Sequence, residues 1–427
     1  MISRRICLAP LALGATVLFV ACDTATDATS SPRQSTTSTS TPAPSPNGTI
    51  HPSANDPPPS ASASSAPTVS WAEQAFEQPI GSVVADRDRF VAVSSGAEER
   101  SAWTSNDGSS WERHSVPAPS EADCDPAEPI CLPFVRSAHL GPMVRLDDTL
   151  YSLGATEFFN DVVRAVGWRW TDGQDWQVIE SESPIFKGGA FRAVATSDEA
   201  IFAVTHAGYP LTERHWLWKP DTSWQRVGDE ISVDNPIGFR SVAWRDGQFI
   251  AVGEIWDVPS DFMAGDSNPA VWSSNDGTTW ISRAAPDRAM TLCSVTATTD
   301  AFFAVGLDTD GQPIAWRTED GEEWGAGALP TGVSVAPGTE VTPSGCSGRV
   351  VELSSGYLAF VNADDVTLTW TSGDGASWEE GDVLDARTGS ESIAAIDDTI
   401  VAFGQRGPRD GHQLQVLFVG TARSLGE

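Results

Sequence analysis

Seven times along the chain an alternating run of hydrophobic and polar residues meets a short polar turn, and a second run follows that ends in Ala-Val-Gly or a close variant. The instances are VVADRDRFVAV from Val83, MVRLDDTLYSLG from Met143, AVATSDEAIFAV from Ala193, SVAWRDGQFIAVG from Ser241, SVTATTDAFFAVG from Ser294, VVELSSGYLAF from Val350 and IAAIDDTIVAFG from Ile393. Alternation of period two marks a half-buried β-strand, so each instance predicts two strands joined by a tight turn. Six of the seven are followed by a second pattern, a tryptophan, an acidic turn and another tryptophan: Trp103-TSNDGSS-Trp111, Trp170-TDGQD-Trp176, Trp218-KPDTS-Trp224, Trp272-SSNDGTT-Trp280, Trp316-RTEDGEE-Trp324 and Trp370-TSGDGAS-Trp378. Asp-Gly between strand-forming residues is a strong hairpin signal, because glycine takes a positive φ without steric cost. The third copy lacks the glycine and uses Lys219, Pro220 and Asp221 instead.

Each unit therefore carries four antiparallel strands in roughly 40 to 50 residues, the period of a propeller blade. The acids Asp107, Asp172, Asp221, Asp276, Asp320 and Asp374 are expected to accept backbone N–H groups inside their turns. The tryptophans that follow, Trp111, Trp176, Trp224, Trp280, Trp324 and Trp378, are expected to pack between layers. In the seventh unit only one more strand, Gln413 to Gly420, follows Gly404. Its missing outer strand is supplied at the other end of the chain, where Ser70-Trp71 matches Ser110-Trp111, Ser223-Trp224, Thr279-Trp280 and Ser377-Trp378. A strand from about Val69 to Phe76 then completes the last blade of an all-β, seven-bladed propeller and leaves no free sheet edge.

The segment before this domain reads differently. Arg4 and Arg5 precede an apolar stretch from Leu8 to Val20, which predicts a signal peptide over residues 1–21. Phe19-Val20-Ala21-Cys22 resembles the bacterial lipobox, and the resemblance implies cleavage before Cys22, lipid attachment to its sulfur and an extracytoplasmic protein held to the bacterial cell membrane by that anchor alone. Residues 22–68 are Ser, Thr, Pro and Ala with almost no large apolar side chains, the composition of a disordered tether and of O-glycosylation acceptors. Residues 69–427 form the propeller domain, expected as a monomer.

The formal net charge is −32, and loss of Arg4 and Arg5 with the signal makes it −34. Such a balance argues against nucleic acid and against contact of the globular part with an anionic membrane. No cofactor or metal is expected. Asp308-Thr-Asp310-Gly has the start of a calcium loop but lacks its further ligands and reads as solvated acid. After Cys7 and Cys22, four cysteines remain for an oxidising compartment. Cys124 and Cys131 share one loop, and Cys293 and Cys346 open the inner strands of successive blades, where a disulfide between blades five and six is geometrically reasonable.

Connection lengths separate the two faces of the ring. The turns between first and second strands, and between third and fourth, are nearly constant, whereas variation is confined to the other two connections, which emerge together on the opposite face. The insertions expected on that decorated face are Pro117 to Pro133, Gly154 to Val166, His206 to Leu217 with Tyr209, Arg214, His215 and Trp216, and Glu254 to Ala270 with Trp256 and Phe262. Arg136, Arg192 and Arg240 precede or open the inner strands of successive blades. Together these residues are the candidate ligand-binding set, with the arginines suited to a carboxylate or, alternatively, engaged in neutralising neighbouring acids.

The turns Ser105-Asn-Asp-Gly-Ser-Ser-Trp111, Ser274-Asn-Asp-Gly-Thr-Thr-Trp280 and Ser372-Gly-Asp-Gly-Ala-Ser-Trp378 resemble the Asp-box of the bacterial neuraminidase repeat, with one residue fewer between Asp and Trp. The resemblance implies a sialidase-like propeller with these boxes on peripheral turns, in a family that includes sialidases and non-enzymatic exported propellers. Sialidase chemistry would require an arginine triad, an acid Asp and a Tyr paired with a Glu. The chain has three tyrosines, Tyr151, Tyr209 and Tyr357, of which Tyr151 and Tyr357 fall within strands. The leading expectation is a module that binds a carbohydrate or protein without catalytic residues; a sialidase-type hydrolase and a scaffold lipoprotein are the alternatives.

Overall fold

A computed structural model of the chain describes residues 65–95, 100–119, 135–158, 163–179, 189–207, 212–220, 224–227, 237–256, 267–330, 346–363, 365–407 and 413–424. Among these, the strands form seven antiparallel sheets and no helix occurs. Blades 1 to 6 occupy residues 80–115, 135–178, 190–227, 237–283, 289–328 and 348–384. In blade 2 the first strand is interrupted, and its two pieces, Val135–His139 and Met143–Leu146, both pair with Thr149–Phe158. Blade 7 joins the two ends of the domain. Thr68–Ala75 pairs antiparallel with Leu414–Arg423, from Thr68 opposite Arg423 to Ala75 opposite Val416. The ring closes as the Ser-Trp match predicts.

The core lies between blades. Each of seven hydrophobic clusters draws on two neighbouring sheets: Phe90 and Trp103 meet Phe403 and Leu417 between blades 1 and 7, and Ile250 and Val271 meet Phe302 and Trp316 between blades 4 and 5. The first tryptophans of the hairpins supply much of this volume, with Trp103, Trp272, Trp316 and Trp370 fully buried. Burying such rings contributes about 2–3 kcal/mol each. The second tryptophans cap the same seams, as Trp280 does against Phe202 at 4.9 Å and Phe239 at 5.1 Å.

The acidic turns also point backward into the preceding blade. Gly108 holds φ at 73°, and a Cβ there would stand 2.7 Å from Val401 of blade 7. Gly375 holds 72°, with Phe303 of blade 5 equally close at 2.6 Å. Glycine is needed at these turns both for the left-handed backbone and for the close approach.

Cys293 and Cys346 are joined by a disulfide; Cys293 lies in the middle of the inner strand of blade 5, Ala289–Ala297, rather than opening it, and Cys346 lies just before blade 6. Cys22, the signal and tether residues up to 64, Cys124, Cys131, Tyr209, Asp221 and Phe262 lie outside the described residues. The insertions are shorter than the sequence suggests. Strands run on through Thr149–Phe158 and Val163–Thr171, through Ile201–Ala207 and Thr212–Trp218, and through Gln248–Trp256 and Ser267–Ser274. The pairing ladder continues past Ala-Val-Gly because cross-strand partners remain in register, as Thr205 with Arg214 and Glu254 with Pro269 show.

Candidate ligand-binding face

The face bearing the short turns is occupied by its own bonds. In the first copy of the acidic turn, the Gly108 N–H donates to Ser105 Oγ at 2.8 Å, while the N–H groups of Ser109 and Ser110 both donate to Asp107 Oδ1 at 2.8 Å. Trp111 Nε1–H closes the turn onto Gly108 O at 2.9 Å. The same carboxylate-to-backbone pattern recurs at Asp276, Asp320 and Asp374. These donated bonds, that from Ser110 first, hold the Asp107 carboxyl at about 2. At Asp276 burial pushes upward, but the N–H groups of Thr279 and Thr278 prevail and the carboxyl again sits at about 2. Asp172 differs from the expectation. Its principal partner is Arg89 of blade 1, at 2.8 Å, whose guanidinium also lies 4.7 Å over the Trp170 ring and lowers the Asp172 carboxyl below its usual range.

Each depressed carboxyl contributes stability that is present above its unfolded value, 3.8, and is lost as pH falls toward about 2. The melting temperature is therefore expected to be flat above about pH 5 and to drop between about pH 4 and 2. Asp276→Ala should cost about 1 kcal/mol at neutral pH and reduce that acid-side drop. Thermal melts across this range check it, and an identical acid limb in the variant would count against the turns as its source.

Bonds between blades add to the same face. Arg245 of blade 4 donates to Thr299 O and Glu319 O of blade 5, Thr299 N–H donates to Glu352 of blade 6 at 2.8 Å, and Ser355 donates to Asp398 of blade 7 at 3.2 Å. Asp86, almost fully buried, pairs with Arg145 of blade 2. Tyr357 donates its hydroxyl to Asp300 at 2.7 Å, and burial followed by that carboxylate drives its ionisation far above the ordinary value. Behind this face an axial cavity of about 590 Å³ runs between the inner strands, and three of its four charged lining residues, Arg145, Arg349 and Glu352, are already engaged.

The opposite face carries the arginines. Arg136, Arg192 and Arg240 occupy equivalent β-bulges, at the register breaks Val135/Ser137, Phe191/Ala193 and Phe239/Ser241, and Cys293 fills the same position in blade 5. A bulge turns an extra side chain out of the ladder. The Arg136 side chain lies outside the described residues; Arg192 is half-buried with no ion pair among them. Arg240 is bound by both carboxylate oxygens of Glu254 at 3.1 Å, the neutralising role rather than an open one.

Two of the expected loop residues prove to be strand residues. His215 and Trp216 sit buried in Thr212–Trp218, because alternation there assigns successive side chains to the two neighbouring seams. Trp216 donates to Thr205 Oγ1 at 2.9 Å, while His215 stacks on Phe239 at 4.6 Å and bonds Glu213 at 2.8 Å. Glu213 in turn accepts the Phe239 N–H, locking blade 3 to blade 4. Sequence reading missed Glu213, although Glu-x-His on a strand places both on one side. Arg214 is half-buried on the same strand; Trp256 ends its strand, with its side chain outside the described residues. Asp308 is buried rather than solvated: it accepts the N–H groups of Asp310 and Gln312 and pairs with Arg288.

A second cavity, about 350 Å³, opens on this face between blades 6, 7 and 1. Its floor is Ile80 and Phe403, and one wall is Asn362, pinned by Thr367 Oγ1–H at 2.8 Å and by Thr388 N–H at 3.2 Å. It exists because the inner strand of blade 7 leaves its ladder, with four residues between Thr388 and Ile393 opposite the single residue Phe403.

Fold and faces together define a seven-bladed β-propeller, one face stapled and the other bearing the long connections. No protein-family model and no curated protein sequence matches the chain. Among solved structures it is similar to the Trypanosoma rangeli sialidase in complex with 2,3-difluorosialic acid, at 10% identity over 82% of this chain and 59% of that one, with a TM-score of 0.45. It is also similar to a Dyadobacter fermentans protein of unknown function (12% identity, 83% and 99% covered, TM-score 0.43) and to the extracellular domains 1–2 of Drosophila Semaphorin 1b (8%, 82% and 86%, TM-score 0.45). The chain spans about three fifths of the sialidase's length.

Proposed function

We propose that this protein is an extracytoplasmic binding module, anchored through a lipid on Cys22, that takes a carbohydrate or protein ligand on the face bearing its long connections and does not turn it over. The observation that carries this reading is the asymmetry of the ring. Turns on one face are consumed by Asp-box bonds and inter-blade staples, while the other presents Arg192 at its bulge and an open polar cavity on a rigid scaffold. Neither described tyrosine supports a hydrolase of the sialidase type. Tyr357 is on the stapled face and its raised ionisation opposes a nucleophilic phenolate, and Tyr151 is packed between blades 2 and 3.

A glycan-array screen of the full-length chain in detergent, beside a fluorogenic sialoside assay, tests it. Binding without turnover is expected. Turnover abolished by Arg192→Ala would overturn the reading in favour of an enzyme, and silence on both would remove the carbohydrate and leave a protein partner.

A further inference from the structure

The cavity between blades 6, 7 and 1 holds a feature that no repeat of the sequence shares. Arg387, Gln405 and Gln415 stand directly opposite one another on three adjacent strands of blade 7, Arg387 paired with Gln405 and Gln405 with Gln415. Residues directly opposite in an antiparallel ladder project from the same side of the sheet. All three line the cavity. Phe403 and Leu417, two residues further along the same strands, belong to the seam with blade 1, so the polar row sits at the open end of that seam, above its apolar floor.

None of the three side chains has a hydrogen-bond or ion-pair partner among the described residues. Described acids of blade 7 and its outer strand have other partners. Arg406, beside Gln405, receives Glu73 on both guanidinium arms at 2.8 Å and also reaches Asp385 at 3.2 Å. Glu391 leans toward Arg349, 3.8 Å away. In a chain of net charge −32, the half-buried Arg387 guanidinium, like that of Arg192, has no carboxylate partner among the described residues. On the opposite wall the Asn362 Oδ1, the kind of acceptor a guanidinium needs, is already taken by Thr367 and Thr388.

We propose that this cavity is a binding site for a small carboxylate that also carries hydroxyl or amide groups, a proposal that rests on the reading of this face as the binding face. The guanidinium fork of Arg387 takes the carboxylate in two parallel hydrogen bonds. The two glutamine amides, each offering a donor and an acceptor, take the neighbouring hydroxyl or amide groups. The apolar floor of Ile80 and Phe403 accepts the carbon face of the ligand. The volume holds one unit of monosaccharide or amino-acid size, at the small end of ligand pockets. A uronic acid and the C-terminal residue of a peptide share this chemistry.

The test is calorimetric titration of the full-length chain in detergent with glucuronate, with N-acetyl-alanine and with neutral glucose. At least one of the two carboxylates is expected to bind with a Kd below about 1 mM, and Arg387→Met is expected to weaken it at least about tenfold. Gln405→Leu should weaken it less while leaving the melting temperature unchanged. Whichever carboxylate binds names the source. Failure of both carboxylates, equal binding by glucose, or full affinity in a folded Arg387→Met protein would each overturn the site. Array binding that survives Arg387→Met would sink this inference and leave the binding-module reading standing; an array without any ligand would remove the carbohydrate from the broader reading and leave a protein partner.

Discussion

A chain beginning at Gln78 is expected to lose the cooperative thermal transition of the ring, whereas one beginning at Ser65 should melt like the full-length protein. The difference is one strand. Thr68–Ala75 contributes eight register pairs to blade 7, and Phe76 N–H adds a bond to Gln415 O at 3.0 Å. Trp71 reaches Phe360 of blade 6 at 6.1 Å, and Phe76 packs edge-on against Trp103, Trp111 and Phe403 at 5.5, 6.1 and 4.9 Å. Phe76 therefore lies in the seam between the last blade and the first. Partial burial of these rings and the ladder bonds together contribute about 5–10 kcal/mol, the size of the whole stability margin of a domain. The shortened chain would also expose the outer edge of Leu414–Arg423 to edge-to-edge pairing and aggregation. Calorimetric scans of the two proteins decide the point, and equal melting temperatures would falsify closure by the N-terminal strand.

The second large effect is expected at the disulfide. Cys293 and Cys346 are 53 residues apart in sequence, and the loop they close contains nearly all of blade 5. Constraining a loop of that length in the unfolded chain stabilises by about 4 kcal/mol. The double variant Cys293→Ser, Cys346→Ser avoids a lone thiol and should lower the unfolding free energy by that amount, read as a fall in the denaturant midpoint, while keeping the same circular dichroism spectrum. Reduction of the natural chain should reproduce the shift, and no further change should follow reduction of the variant. A midpoint that does not move would show that the seam between blades 5 and 6, with Phe303, Trp370 and Trp378 in it, is sufficient by itself.

The blades were legible because their signals are local and repeated: tryptophans at fixed distances from an Asp-Gly turn, and glycines where the backbone must turn left-handed. Even the closing strand was legible, since Ser70-Trp71 copies the opening of the outer strands. The lengths of the connections were harder to read. A strand such as Thr212–Trp218 has Glu213, Arg214 and His215 among its residues, and charge within a strand reads as loop until the partner strand is known. The site was least legible. Whether Arg240 is open or neutralised depends on Glu254, which lies 14 residues away and one strand over. Arg387, Gln405 and Gln415 become a row only through register, and the one sequence signal near them is the longer run between Thr388 and Ile393, where the inner strands of blades 1, 3 and 4 keep a single-residue bulge.

The pairing of the first strand with the last also sets an order in time. Ser70 and its partner Thr421 are 351 residues apart, and synthesis at about 5–20 residues per second separates their appearance by roughly 20–70 s. Six blades can form in turn, each stacking on the one before. The seventh has to wait for residues at both ends of the domain, so Trp71, made before any blade, has no seam to enter until all the others exist. The earliest strand of the propeller is the last to find its partner.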